Sequence, residues 1–513
     1  MENKITIRDL EDKLWKAADT LRGNLSAEDY MHVVLGILTL KFINDKNELA
    51  IQELINDGLT IDTIEKSDLN AKDSFVVPEE SKWVNILKKV GTPEIGFALD
   101  EAIYKLGEEN PELRGIFSAS YNDNSIDKIK LGEVVKIFQS DNLGLHGEDI
   151  LGRIYEYFLG NFFLKRGQKG GEFYTPRSIV RLITLFIKPI KGKIYDPCCG
   201  TAGMLVQAKQ FIDENKINTN NITVYGQEYN NTTWKLAKLN LLLNGLNIFN
   251  TNEIGDEIAA LGQMAADTFT NDQHKGEVFD FIMANPPFNL KEYWNNSLKG
   301  DPRWIYGEPP QKNANFAWLQ HILYKLSTNG KAGVVLANGS LTSTTKGEDK
   351  IREKMVREDK VSCIVALPDK LFFTTGISAS IWFFDNNKKN KGKFLMIDAQ
   401  ELGQLVEGSK TTKEIKNDDL NKLVDIYEKF ENNEEIDIPG LAKSIDLKTI
   451  EDNEFLLSPG RYITISEKEK RNPEEIKKEL NNAINELLNL MEESKELENE
   501  VKEAIKKISN EDI

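Results

Sequence analysis

The sequence predicts an α/β protein: a largely parallel, Rossmann-like sheet between a helical N-terminal domain and a helical, coiled-coil-like C-terminal tail. Three observations carry this. Between about residues 150 and 400, short apolar runs alternate with amphipathic segments, the βα pattern of a parallel sheet. Two of these runs end in turns built from small residues or prolines, at the strand end where open sheets bind ligands. The flanking regions have helical periodicity instead.

The chain of 513 residues is long enough for two to four domains, and its 40% hydrophobic content supports sizeable cores. Against 82 Asp and Glu stand 65 Lys and Arg, a formal net charge of −17. That excludes a protein gripping nucleic acid over its whole surface by phosphate neutralisation; a local basic patch or a partner must do so. Three cysteines, two of them adjacent at Cys198 and Cys199, lack zinc spacing, and four histidines form no HExxH cluster, so no metal site is expected. No signal-peptide core or membrane-length apolar run is read, so a soluble cytoplasmic protein with no membrane contact is expected.

In chain order, residues 1–145 read as a helical domain. LEDKLWKAADTLRG sets Leu10, Leu14, Trp15, Ala18 and Leu21 on one face, Gly23 and Asn24 end that helix, and Ser26 can cap the next. The next helix, AEDYMHVVLGILTLKFIND, is apolar enough in its middle to be buried. Residues 146–400 carry the strand candidates KIYDP, ITVYGQE, FDFIMA, KAGVVLA, VSCIVALP and SASIWFF. Residues 401–465 read as a mixed, mostly helical extension. In the tail, 466–513, Ile476, Leu480, Ala483, Leu487, Leu490, Ser494, Leu497, Val501, Ala504 and Ile508 recur at spacings of four and three, a heptad seam suited to a subunit contact.

Within 146–400 the site candidates fall at strand ends. In YDPCCGTAGML a strand ends at Asp196, and Gly200, Thr201, Ala202 and Gly203 form a small-residue turn into a helix, where backbone N–H groups can approach a ligand closely. It is neither a GxGxxG fingerprint nor a phosphate loop, so the ligand need not carry phosphate. Glu228, ending ITVYGQE, is placed to accept from both hydroxyls of a ribose; the alternative is a solvent-exposed loop glutamate. Asp256 falls where a third strand turns and could bind an adenine amino group, or serve only its own turn. In GGEFYTPRSIVRLI, Thr175 is expected to cap a helix with Pro176 at its first position and Phe173 and Tyr174 just ahead. Finally, Pro286 and Pro287 stop the FDFIMA strand and form a stiff corner. There the amide oxygen of Asn285 and the carbonyl of Pro286 can both accept from one exocyclic amino group while Phe288 stacks on the ring that bears it.

DPCCGTAG followed by NPPF resembles the S-adenosylmethionine-dependent N6-adenine DNA methyltransferases. The LWKAADTLRG segment, the block ILGRIYEYFLGNFFLKRGQKGGEFYTPRSIVRLI and the LSPGRYI stretch make nearly the whole chain similar to the modification (M) subunits of type I restriction–modification systems. The resemblance implies a seven-stranded methyltransferase sheet with one antiparallel edge strand. It also implies S-adenosylmethionine as cofactor, bound by Glu172, Phe173, Tyr174, Thr175, Pro176, Arg177, Thr201 through Gly203, and Glu228. The target adenine of double-stranded DNA would be held by Asn285, Pro286, Pro287 and Phe288. A specificity (S) subunit, a restriction (R) subunit and a second M subunit are the implied partners. One departure is Ala202, where many members have Gly. A Pro197-Cys198 pair resembles the nucleophile of C5-cytosine enzymes but lies in the donor turn, ahead of the catalytic motif, and is discounted. NPPF-type enzymes acting on RNA or protein, and a non-catalytic assembly subunit, are the alternatives.

Overall fold

The structure is a computed structural model that describes residues 27–72, 74–117, 120–139, 175–214, 222–251, 257–372, 377–406 and 413–464, with part of 13–21 and of 477–497. The N-terminal helices are α1 (Ala27–Asn56), α2 (Lys66–Ala71), α3 (Trp83–Leu87), α4 (Ile95–Glu109) and α5 (Lys128–Ile137). As its apolar middle predicts, α1 is buried: Val33, Val34, Ile37, Leu38, Leu40 and Ile43 form a core with Leu99, Ala102 and Leu106 of α4 and Leu131, Val134 and Val135 of α5. Ser26 and the turn at Gly23 and Asn24 lie outside the described residues.

The α/β part runs α6 (Arg177–Ile187), β1 (Gly192–Asp196), α7 (Gly203–Glu214), β2 (Ile222–Gly226), α8 (Asn231–Leu243), β3 (Phe249–Thr251), β4 (Glu257–Ala259) and β5 (Phe279–Ala284). It continues through α9 (Asn315–Lys325), β6 (Leu326–Ala337), α10 (Glu348–Arg357), β7 (Val361–Ala366), β8 (Ala379–Asp385) and β9 (Lys393–Asp398). A two-stranded pair, β10 (Gln404–Leu405) and β11 (Lys413–Glu414), precedes α11 (Asn417–Glu431), β12 (Asp437–Ile438), β13 (Ala442–Asp446) and α12 (Leu447–Asp452).

The main sheet has the order β12-β13-β9-β7-β8-β6-β5-β1-β2. Strand alternation sends successive side chains to opposite faces. In β8, Ile381 and Phe383 join the core under α6, α7 and α11, while Trp382 and Phe384 join the core under α9 and α10. The N-terminal helical core reaches this layer through Leu239 of α8.

The expected fold class holds, with two differences in detail. The sheet has nine strands instead of seven: β9, β13 and β12 extend one end, while β3 pairs with β4 in a separate two-stranded sheet. Two strands run against the rest, and neither is at an edge: β8 lies between β6 and β7, and β13 between β9 and β12. The segment after β7 returns the chain directly alongside it, a connection that antiparallel neighbours allow without a helical crossover. The stretch read as a mostly helical extension has one long helix, α11, but β12 and β13 belong to the main sheet. Their short, charged sequences, DI and AKSID, carry little apolar alternation to reveal them. In the tail, the described seam leucines Leu480, Leu487, Leu490 and Leu497 are helical and each more than half exposed, and Ser494 is helical and exposed; Ile476, Ala483, Val501, Ala504 and Ile508 lie outside the described residues.

Candidate active site

Strands β1 and β5 are parallel neighbours in the register Tyr195↔Ile282. The turn after Asp196 and the corner after Ala284 therefore leave the sheet side by side at its carboxyl edge, about 4.8 Å apart by ordinary strand spacing. On the other side of β1, Asp196 pairs with Gly226 of β2, and Glu228 follows two residues later. Three of the predicted elements thus converge on one edge.

The glycine turn is held from beneath by backbone bonds that continue the β1–β2 ladder: Gln227 N donates to Asp196 O (3.0 Å) and Cys199 N to Gln227 O (2.9 Å). The Thr268 hydroxyl donates to Pro197 O (2.6 Å), and the Asn240 amide donates to Thr201 O (2.8 Å). Glu228 is buried, not an exposed loop residue. Its carboxylate accepts from Gly200 N (3.1 Å) and Asn230 N (2.7 Å), one bond per oxygen, which fixes its plane. Asp196 is buried as well and accepts from Cys198 N (3.0 Å). Burial pushes its carboxyl up to about 7.

Gly200 and Ala202 adopt left-handed φ values of 54° and 64°. At Gly200 a Cβ would meet nothing within 4 Å, so the space before the turn is open. Ala202 occupies a conformation that costs a residue with a Cβ about 1–2 kcal/mol, a physical reason for glycine to be favoured there. Gly203 opens α7. Burial pushes the thiols of Cys198 and Cys199 far up, leaving them protonated and poor nucleophiles, which agrees with discounting the Pro-Cys pair.

At the NPPF corner, a side-chain clasp fixes the chain just past the motif. Asn315 Oδ1 accepts from Asn289 N (3.0 Å), and Asn315 Nδ2 donates to Asn289 Oδ1 (2.9 Å). Phe288 is partly buried and meets Phe372 edge to face, with ring centroids 5.8 Å apart. Asn285 Nδ2 donates to Thr175 Oγ1 (3.0 Å).

That last bond corrects the reading of Thr175 as a helix cap. The cap of α6 is Pro176, with ψ 137°, and Arg177 is the first helical residue. Thr175 stands one position earlier, buried, and its hydroxyl engages the amide of the NPPF corner. Glu172, Phe173, Tyr174 and Asp256 lie outside the described residues. The sequence reading missed Asn240, Thr268, Asn315 and Phe372. Asn240 could have been noticed as a polar residue within the apolar LAKLNLLL run; Asn315 opens α9, where an amide reads only as a helix start, and nothing in the sequence sets Thr268 or Phe372 apart.

A sequence model described as N-6 DNA Methylase matches residues 146–471, and one described as the HsdM N-terminal domain matches residues 10–138. The chain belongs to the N-6 DNA methylase family. The methylase is 40% identical over 382 residues to the type I restriction enzyme HindI methylase subunit of Haemophilus influenzae, covering 72% of this chain and 83% of that one. It is 33% identical over 527 residues to the MjaIX methylase subunit of Methanocaldococcus jannaschii, covering 97% and 91%. It therefore groups with the methylase subunits of type I restriction enzymes, as a DNA adenine methyltransferase. The fold matches the crystal structure of a type I restriction–modification methyltransferase subunit from Streptococcus thermophilus with a TM-score of 0.70 at 24% identity, over 90% of this chain and 100% of that one. Among the described residues, no helix of the methylase is long and apolar enough to cross a membrane.

Proposed function

We propose that the methylase transfers a methyl group from S-adenosylmethionine to N6 of a flipped-out adenine in a specific DNA sequence, as the modification subunit of a type I complex. The observation that carries this reading is the meeting of the two strand ends: a glycine turn with a buried carboxylate on one side and an amide-and-ring corner on the other, its amide held by Thr175.

S-adenosylmethionine supplies an electrophilic methyl group on a sulfonium. The open space before Gly200 and the fixed carboxylate of Glu228 fit its nucleoside, with Glu228 accepting from the ribose hydroxyls. Asp256 and the Glu172–Tyr174 segment complete this site in the proposal. Asn285 and Pro286 accept hydrogen bonds from the adenine N6 amine, whose lone pair is otherwise conjugated into the ring, and draw it towards tetrahedral geometry. Thr175, accepting from Asn285 Nδ2, turns the amide so that its oxygen is the atom offered to the amine. Phe288 stacks on the base. The amine then attacks in line; the carbon–sulfur bond breaks with its electron pair going to sulfur, and the amine releases a proton. Positioning and fixed hydrogen bonds carry the acceleration.

Flipping the adenine costs a few kcal/mol, and a chain of net charge −17 is poorly suited to hold the duplex alone. A specificity subunit reading the sequence, a second copy of the methylase and a restriction subunit complete the proposed complex in the cytoplasm. The exposed leucines of the tail are suited to the subunit contact.

Transfer of label from S-adenosylmethionine to unmethylated DNA, followed by nucleoside analysis, tests this. Labelled N6-methyladenine formed only with the specificity subunit present is the expected result. Label in RNA or protein, or S-adenosylmethionine bound without any transfer, would overturn it.

A further inference from the structure

The same carboxyl edge holds a second pocket, of about 500 Å³, beyond the NPPF corner. Its wall is made where three strands end. Asn338 follows β6, Ala366 closes β7, and Asp398 closes β9, with Gln400 just after it. The remaining side is the SPGRY turn, through Pro459 and Arg461. The transfer reaction gives this turn no task.

The chemistry of the lining is specific. The side-chain oxygen of Asn338 is buried and has no hydrogen-bond donor among the described residues. Asn338 is itself half-buried and lines the pocket, so turning its amide on binding would pair this closed-off oxygen with an N–H group. Asp398 adds a carboxylate acceptor; its Oδ1 takes the Gln400 N–H at 3.2 Å. Leu341 and Pro459, both buried, supply apolar surface. Arg461 stands exposed, and among the described residues its guanidinium has no hydrogen bond or ion pair. An amide and a carboxylate among the lining residues, with apolar walls and an exposed cation, match a nucleobase bearing N–H donors and its phosphate.

Position identifies which nucleotide. Strands lie about 4.8 Å apart, so the pocket's wall runs from about 5 Å to about 20 Å along the edge from β5. Successive bases on one DNA strand rise by 3.4 Å, so the pocket is within a few nucleotides of an adenine held at NPPF. We infer that this pocket between the ends of β6, β7 and β9 and the SPGRY turn receives a second nucleotide of the substrate DNA, displaced from the stack near the methylated adenine. Asn338 and Asp398 accept from its base, and Arg461 binds its phosphate. The inference rests on the methyl-transfer reading above.

The test uses the methylase with its specificity subunit and a duplex carrying the site at which the wild-type complex forms N6-methyladenine. 2-Aminopurine replaces, one at a time, the bases flanking the target adenine and the base opposite it. The wild-type complex should give a fluorescence increase at one of these positions, and both Asn338→Ala and Arg461→Ala should abolish it. The KM for DNA should rise roughly tenfold with kcat changed less than about twofold. Arg461→Ala should lower the salt slope of DNA binding by about one, while binding of S-adenosylmethionine stays unchanged. Arg461 is exposed, so that variant keeps the fold if Asn338→Ala does not. No displaced base beside the target in an active wild-type complex, or unaltered DNA binding in both variants, would overturn the pocket's role. Weakened subunit assembly with normal DNA affinity would also overturn it, in favour of a protein contact. Absence of methyl transfer by the wild-type complex would instead defeat the underlying reading.

Discussion

The donor turn and the acceptor corner leave neighbouring strands at one edge, yet they are built in opposite ways. The proposed donor turn presents backbone: Gly200 and Ala202 take left-handed conformations, and Gln227 just past β2, Asn240 of α8 and Thr268 hold it from behind. The acceptor corner presents side chains: two prolines stiffen it, the Asn289–Asn315 clasp fixes its exit, and Phe288 rests against Phe372. A donor with hydroxyls and a nucleoside face needs room close to the chain. A planar base needs acceptors and a ring held at fixed angles. Beside them, Thr175, just ahead of α6, accepts from the Asn285 amide of the corner.

Substitutions on each side should break this comparison in graded ways. Asn285→Ala should lower methyl transfer by at least about 100-fold, the scale for losing a preorganised hydrogen-bonding group at the reacting centre, with subunit assembly intact. Loss of assembly together with activity would instead favour a scaffold role. Glu228→Ala removes a buried acceptor of two backbone N–H groups. S-adenosylmethionine binding should weaken by about 30-fold or more, and thermal stability should fall by about 1–3 kcal/mol, readable by calorimetry. Thr175→Val should lower kcat about tenfold with little change in KM for DNA, and Thr175→Ser should restore it; equal loss in both would mean that packing, not the hydroxyl, matters.

Asp196 gives a pH signature confined to the donor side. Its folded pKa of about 7 lies above its ordinary 3.8. A carboxyl raised in this way is neutral in both states below its ordinary value, so its burial costs nothing there. The cost grows as pH rises and is complete above the folded value. Asp196→Asn should therefore gain stability relative to the wild type between about pH 4 and pH 7, measured by denaturant unfolding across that range. The smallest effect is expected at Ala202. Ala202→Gly relieves a left-handed alanine but adds freedom to the unfolded chain, for a net stabilisation of about 0.5–1 kcal/mol.

The acceptor corner was more legible in sequence than the donor turn. FDFIMA is a strand over the residues read for it, because an apolar run stopped by two prolines has few other solutions. The proposed grip at NPPF was read from the residue types alone. In the donor turn the sequence shows small residues and an acid at the right strand ends, but not that Glu228 would be anchored by Gly200 and Asn230. Nor does it show strain at Ala202, which depends on the turn's φ and not on composition. Thr175 was misread because Thr-Pro before an apolar helix is a good local capping signal; only the tertiary placement of Asn285 gives the hydroxyl another partner. The strands β12 and β13 escaped for a related reason: sheet membership there is decided by pairing with β9, not by periodicity.

The division of labour between the two strand ends is tested most directly by the dissociation constant of S-adenosylmethionine for Asn285→Ala, measured by calorimetry in the complex with the specificity subunit. The predicted result is a constant within about twofold of the wild type, since the substitution removes an acceptor for the target amine and leaves the donor turn intact. A loss as large as that of Glu228→Ala would contradict it, and would make the corner part of the donor site.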